Sequence, residues 1–524
     1  MSERVTMDWV DTAVGWDSDC DVLVVGSGGG ALTGAYTAAR EGLRVQLVEA
    51  TGKFGGTTAY SGGGMWFPCN PVLRRAGDDD SMQDALAYFR SVVGDRTPAE
   101  LQEAFVTGGA PLVEYLESDP AFQFQVLPWP DYFGKAPHAR PDGRHIVPVP
   151  LPAERLGEQR ALLRPPLGTD RGDQELPAEL GGGQALIGRL LMALSKFPDA
   201  ELRTNVSCKE LIRLGGRVVG AVVTTRDGLQ RIRARRGVLV AAGGFERNAA
   251  MRKAHGVPGS ERDSMSPPGN RGAATEAAMA VGADVDLMSE AWWAPGLTHP
   301  DGSSTFSLWF TGGILVNSEG KRFTNESAPY DRSGRSVLGE LEAGRITLPY
   351  WLIYDSRAGE LPPVLFAGVP LADHRSYIDA ELWHTADSLD ALAERIGVPA
   401  AALTETVERF NALAATGVDE DFGRGDEPFD RSVPGSPNPL APIVNPPFRA
   451  AAFGLSDLGT KGGLRTDARG RVLDTSDAVI PGLYAAGNSM AAVSGTVYPG
   501  GGNPIGASMV FGHLAALDMA EEDV

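Results

Sequence analysis

The chain has 524 residues, 43% hydrophobic and 22% charged, which is enough for two domains around a large core and ordinary for a folded globular protein. Its 47 Lys and Arg against 67 Asp and Glu give a net charge of -20, which argues against nucleic acid or an anionic membrane surface as partner. The opening MSERVTMDWVDTAVGWDSDCD has no signal-peptide pattern, and no run approaches the roughly 18 apolar residues of a membrane span, so a cytoplasmic protein without a transmembrane segment is expected.

The first element is the apolar run Asp21 to Val25, of the kind buried in a parallel sheet. It feeds into Gly26-Ser27-Gly28-Gly29-Gly30-Ala31, a match to GxGxxA, and then a helix from about Ala31 to Glu41. A second strand, Val45 to Val48, ends at Glu49, about where an acid that binds a ribose hydroxyl stands. Glycines there let the backbone approach a pyrophosphate, whose charge sits on the helix N-terminus. The small-residue ribbon that follows, Gly55-Gly56-Thr57-Thr58 and Ser61-Gly62-Gly63-Gly64, carries hydroxyls able to lie along a flavin and favours FAD over NAD.

Lys135 to Gly183 is Pro-rich and without clear period, a segment that either packs over a site or at a subunit contact or is a plain surface excursion. Lys209 to Arg235 reads as a meander, with turns at Gly215-Gly216 and Asp227-Gly228. Arg236 to Asn248 (RGVLVAAGGFERN) is a buried strand ending in a glycine turn, and GLYAAGN at Gly482 repeats that design. From about Ala291 to Gly459 the strand-glycine-helix rhythm stops. A hairpin signal runs from Gly312 to Phe323, and Pro399 to Ala415 reads as an amphipathic helix. A second hairpin signal, Gly462 to Leu473, marks the return.

The expected fold class is therefore α/β: a Rossmann-type FAD-binding domain, parallel sheet plus β-meander, formed by residues 1–290 and 460–524, with an inserted α+β catalytic domain over 291–459. The three cysteines, Cys20, Cys69 and Cys208, are far apart and read as unpaired buried thiols. The seven histidines are scattered without metal-ligand spacing, so no metal is expected.

At this point the sequence resembles the 3-ketosteroid Δ1-dehydrogenases, within the fumarate-reductase-like flavoproteins, over essentially its whole length. The likeness is carried by DVLVVGSGGGALTGAYTAAREGLRV, FGGTTAYSGGGMWFP at Phe54, PDYF at Pro130, RFTNESAPYDRSGR at Arg322, LSDLGTKGGL at Leu455 and the tail VYPGGGNPIG around Tyr498. The resemblance implies FAD as primary acceptor and a double bond introduced between carbons 1 and 2 of a 3-ketosteroid. It assigns Tyr330 as the base for the carbon 2 proton and Tyr132 as its hydrogen-bonding partner. The Tyr498 hydroxyl and Gly502 N–H would hold the C3 carbonyl oxygen, where negative charge develops. Because a phenol titrates near about 10, Tyr330 needs neighbours that favour phenolate, and Tyr132 is expected to supply them.

Phe306 and Pro504 are expected against the steroid. The expected cofactor positions are Gly26, Ser27, Gly28, Gly29, Gly30, Ala31, Glu49, Ala50, Thr51, Gly56, Thr57, Thr58, Ser61, Gly62, Gly63, Val206, Ala242, Gly243, Asn248, Gly487, Asn488, Pro504 and Ile505. The flavin is expected to be non-covalent, since neither His nor Cys stands in the glycine ribbon. An unidentified electron acceptor is implied, and the oligomeric state is left open. The tail departs from the family's glycine-proline-glycine pattern, reading Pro499-Gly500-Gly501-Gly502-Asn503, which touches substrate preference more than reaction type. A dehydrogenase acting between carbons 4 and 5, a fumarate-reductase-type enzyme and a non-catalytic flavin-binding subunit are the rival readings. The paired tyrosine motifs and the apolar Ala291-Trp292-Trp293 favour the first assignment.

Overall fold

A computed structural model describes residues 15–433 and 438–522; most of the N-terminal stretch weighed for a signal peptide lies outside them. The first sheet is built from the short apolar runs, which alternate with helices and so pair in parallel under cover on both faces. Its strand order is Arg471–Leu473, Val479–Ala485, Gly228–Val240, Ser18–Val25, Val45–Glu49, Ala200–Thr204. The four pairs from Val479–Ala485 to Ala200–Thr204 are all parallel. Ser207–Leu214, Arg217–Thr225 and Gly228–Val240 form the antiparallel meander, with turns where the sequence puts them. Helix α1, Gly29–Arg40, begins two residues before its expected start, because two glycines already adopt helical geometry.

The second sheet takes its strands from Ala291 to Thr460, in the order Ser304–Phe306, Ala291–Thr298, Phe448–Thr460, Tyr350–Asp355, Ile314–Val316. The 13-residue strand Phe448–Thr460 is its spine: its first half pairs with Tyr350–Asp355 and its second half with Ala291–Thr298. Helix α2, Tyr330–Glu342, lies on Ala291–Thr298, and Gly334 permits the contact, since a Cβ there would be 2.8 Å from the Ala294 nitrogen.

Both expected hairpins shrink to single turns. Val316 and Arg322 form one isolated bridge, as do Thr466 and Val472. Strand Ile314–Val316 instead pairs with Tyr350–Asp355, and Arg471–Leu473 with Val479–Ala485. Tertiary pairing gave each strand a longer partner than its local one. The Pro399 helix forms as expected, over Ala400–Thr416.

The C-terminal helix α3, Asn503–Glu521, crosses α1 at closest range where Gly30 meets Ser508 and Gly512 meets Gly30: a Cβ at Gly30 would be 2.3 Å from the Ser508 hydroxyl, and one at Gly512 the same distance from the Gly30 carbonyl. The two ends of the chain are thereby locked together beneath one cleft. Among the described residues no helix is long and apolar enough to cross a membrane, no group of His, Cys, Asp and Glu could hold a metal, and the three cysteines are buried and free.

Candidate active site

A cleft of about 1330 Å³ opens at the carboxyl ends of the parallel strands, where open α/β sheets bind ligands. Its lining runs from the glycine turn at Gly26 past Glu49 to Asn488 and Tyr498, an elongated shape that suits an extended dinucleotide. Of the expected cofactor positions, Gly26, Ser27, Gly28, Gly29, Glu49, Ala50, Thr51, Gly56, Thr57, Thr58, Ser61, Val206, Ala242, Gly243, Gly487, Asn488, Pro504 and Ile505 line it. The first turn of α1 has no side-chain cap, although the Gly29 N–H donates to the Thr58 hydroxyl at 3.1 Å. Its remaining N–H groups and dipole suit a pyrophosphate. The residues present therefore fit FAD.

Glu49 is more committed than a lone ribose acceptor. One carboxylate oxygen accepts from the Ser27 hydroxyl at 2.6 Å, the other from the Thr51 N–H at 2.8 Å and hydroxyl at 2.7 Å. It thus ties the glycine turn to the end of the second strand and shares its remaining lone pairs with the cleft.

The other five expected cofactor residues are not part of the cleft's lining. A Cβ at Gly30 would press on α3 and the Ala31 methyl lies in the core, so what these two residues offer a pyrophosphate is their backbone N–H groups. Gly62 and Gly63 lie off the cleft because the ribbon turns onto the helix Gly182–Leu194, where a Cβ at Gly63 would be 2.4 Å from the Gly182 carbonyl carbon. Asn248 caps the helix Ala249–His255, accepting from the Met251 N–H at 3.1 Å, which spends its oxygen on the backbone.

The sequence reading also missed a wall of the cleft, Pro267, Gly269, Asn270 and Gly272–Thr275. Asn270 donates to Thr57 at 3.2 Å and to the buried Glu246 carboxylate at 2.7 Å. Its available signal was the Pro- and Gly-rich turn PPGNRG just ahead of the helix Ala273–Ala280. Cys208 also faces the cleft, but burial pushes its thiol up to about 12, so it remains protonated and unreactive.

Beyond Trp292, Leu458 and Tyr498 on the cleft wall lies a cluster that includes Tyr132, Tyr330, Tyr498, Phe306, Met265 and Phe429. The tyrosines come from three separated segments. Tyr330 is the first residue of α2, held by Pro329 before it. Tyr132 is placed by its N–H donating to the Pro499 carbonyl at 2.9 Å, one residue past Tyr498. Tyr88 donates to the same carbonyl at 2.5 Å.

The three phenol rings make a triangle with centroid separations of 5.7 Å for Tyr132–Tyr330, 5.2 Å for Tyr132–Tyr498 and 5.6 Å for Tyr330–Tyr498, all edge to face. Phe306 stands 4.8 Å from Tyr330, and Trp292 5.0 Å from Tyr498. Leu167, from the Pro-rich segment, packs into the same cluster. That segment does cover the site.

Burial raises all three phenols. Tyr330 and Tyr132 are pushed well above the usual tyrosine range, first by loss of solvent and then by neighbouring phenols. Tyr498 rises only to about 12, because the Tyr330 hydroxyl and the Gly502 N–H offset part of the desolvation. The expected lowering of Tyr330 by Tyr132 is thus reversed: in a dry pocket a second phenol does not replace water as a stabiliser of charge. Tyr498 is thus the least raised of the three, and Tyr330 and Tyr132 are both held neutral.

Gly502 sits in the left-handed region at φ 81°, and a Cβ there would meet the Gly64 carbonyl oxygen at 2.0 Å. Only glycine fits, and that fixes the direction of its N–H.

The FAD binding domain family matches residues 21–505. The 3-oxosteroid 1-dehydrogenase of Rhodococcus opacus is 38% identical, the match covering 97% of this chain and 99% of that protein. The 4-oxocyclohexanecarboxylate 2-dehydrogenase of Sinomonas cyclohexanicum is 36% identical over 96% of this chain and 93% of that protein. Among solved structures, the 3-ketosteroid Δ1-dehydrogenase of Sterolibacterium denitrificans in complex with 1,4-androstadiene-3,17-dione superposes with a TM-score of 0.87 at 34% identity, covering 96% of this chain and 99% of that one.

Proposed function

The chain belongs to the FAD binding domain family and, within it, to the 3-oxosteroid 1-dehydrogenases, and from that premise we propose that it desaturates the A ring of 3-ketosteroids between carbons 1 and 2. The observation that carries the reading is the triangle of Tyr132, Tyr330 and Tyr498, closed by apolar side chains and opening on the cleft. FAD, when bound, accepts the hydride that leaves carbon 1.

The protein's own groups handle the proton and the ketone. Tyr498, the most acidic of the phenols, and the Gly502 N–H hold the C3 oxygen and strengthen their hold as enolate character grows. That acidifies the carbon 2 hydrogen, which passes as a proton to Tyr330. Burial keeps the Tyr330 phenolate scarce, so the step runs through the small ionised fraction, whose oxygen takes the carbon 2 proton and becomes the neutral phenol beside Tyr132. Phe306 walls the site beside Tyr330, and Pro504 borders both steroid and cofactor. The cluster is apolar, which suits a neutral polycyclic ketone better than a carboxylate-bearing single ring.

The division into residues 1–290 and 460–524 for the cofactor and 291–459 for the substrate completes the reading. So do a cytoplasmic location, in keeping with three free thiols, and a separate electron acceptor. The test is anaerobic mixing of the purified yellow protein with a 4-ene-3-ketosteroid, a 5α-saturated 3-ketosteroid and 4-oxocyclohexanecarboxylate. Flavin bleaching with a new 1,2 double bond in the steroids is expected. Bleaching by the cyclohexanone acid alone, or a 4,5 double bond from the 5α-steroid, overturns the reading.

A further inference from the structure

Lys461 is a buried cation that the reaction as described does not use. It follows the long strand Phe448–Thr460, and its backbone is held on both sides: its N–H donates to the Glu290 carbonyl at 2.8 Å, and its carbonyl accepts from the Ala492 N–H at 3.0 Å. The side chain is fully buried. Its ammonium donates to the Thr496 carbonyl at 2.9 Å and the Val497 carbonyl at 3.2 Å, and stands 3.5 Å from the Asp331 carboxylate. It also lies 4.4 Å from the centre of the Trp292 ring, and that ring meets Tyr498.

The sequence positions of these contacts matter. Thr496 and Val497 are the two residues before Tyr498, and Asp331 is the residue after Tyr330. One ammonium therefore joins the backbone that presents the acid to the helix start that presents the base. An ammonium is costly to bury even when paired, and an apolar residue of similar volume usually serves stability as well or better.

We propose that Lys461 is a positioning residue for the desaturation, clamping the Tyr498 segment against the first turn of α2 so that the two phenols meet the substrate together. The proposal rests on the reading of the site as a ketosteroid 1,2-desaturase. The clamp holds while the ammonium is protonated. The charged groups around it are Asp331, Arg335, which pairs with Asp331 at 3.4 Å, and Glu290, which pairs with Arg335 at 2.9 Å. Burial outweighs these carboxylates and draws the Lys461 pKa down to about 8. Rising pH therefore releases the proton, the charge and one of the hydrogen bonds that hold the segment.

The test uses FAD-loaded enzyme and two variants, Lys461→Met and the charge-balanced double variant Lys461→Met with Asp331→Asn, which leaves no carboxylate stranded if the single variant folds poorly. Amide hydrogen exchange over residues 494–502 should quicken at least about tenfold in either. Turnover of a 4-ene-3-ketosteroid should fall about 30- to 100-fold with KM within threefold. The wild-type rate should climb with pH and level off above about pH 8 as the ammonium is lost, and that levelling should vanish in the variants. Unchanged exchange, a double variant that turns over within threefold of wild type, or a levelling above about pH 8 that survives the substitution overturns the proposal. A wild type that makes no 1,2-desaturated product refutes the reading of the reaction instead, and the exchange measurement still judges the clamp.

Discussion

The Gly502 backbone N–H donates to the Tyr498 hydroxyl oxygen at 3.2 Å, so the two groups assigned to the substrate ketone hold each other across the turn Pro499–Gly501. In the proposed reaction a ketone oxygen set beside both groups would replace the Tyr498 oxygen as acceptor of the Gly502 N–H and take the phenol's own proton as its second donor, while the Gly64 contact limits movement at Gly502. Donors set in advance are what make such a site effective against developing negative charge.

Tyr498→Phe should therefore lower kcat by about 10² to 10³ with a modest change in KM, since the lost interaction grows in the transition state. FAD should stay bound. Steroid-dependent exchange of the carbon 2 hydrogen with heavy water, followed by NMR without net oxidation, should slow in parallel. Exchange at the wild-type rate while oxidation fails would make Tyr498 a partner of the hydride step instead.

Gly502→Ala tests the same arrangement through the backbone. A side chain at φ 81°, pressed to 2.0 Å from a carbonyl oxygen, must shift the turn. A stability loss of about 1–3 kcal/mol by thermal unfolding is expected from the strain. Turnover should fall at least about 10²-fold, as the N–H no longer points where the phenol does. Full activity would place the oxygen's second donor elsewhere.

Tyr330→Phe should keep flavin and steroid binding and lower turnover by about 10² to 10⁴, the range of a positioned general base; a loss below threefold would identify another base. The pH dependence carries a sign. Tyr330 and Tyr132 are both raised well above the usual phenol range, so the ionised fraction, and with it the rate, should climb with pH through neutrality. Tyr132→Phe removes a phenol that raises Tyr330, so the rising limb should move to lower pH. An unmoved profile would leave Tyr132 as packing alone.

Glu49→Ala should weaken FAD retention by about 10- to 100-fold, the effect of losing hydrogen bonds to a charged acceptor. The glycine turn and the second strand lose their common tie to Ser27 and Thr51 as well as any bond to the ribose. Asn248→Ala is the contrast: it should cost about 0.5–2 kcal/mol as a helix cap and leave FAD affinity unchanged, measured by flavin release on dilution.

What the sequence determined by itself was whatever is encoded over a short stretch of chain. A strand, a glycine turn and a helix in succession suffice to describe a dinucleotide cradle, and the structure puts Gly26 to Gly29 and Glu49 where that grammar says. The meander turns at Gly215-Gly216 and Asp227-Gly228 are local for the same reason.

The tertiary structure decided everything that depends on which distant segments meet. Gly30 reads as part of a phosphate motif and also serves helix packing, because α3 arrives from the far end of the chain to lie on it. Asn248 reads as a cofactor ligand but caps a helix. The two hairpins gave up their local partners to strands that bury more of them. The ionisation of the tyrosines is the clearest case. Whether one phenol helps its neighbour ionise depends on water and on nearby charge, and the fold closes Tyr132, Tyr330 and Tyr498 into a dry triangle in which all three are raised. The buried ammonium of Lys461 reaches that triangle only because residues 331, 461 and 496–497 converge in three dimensions.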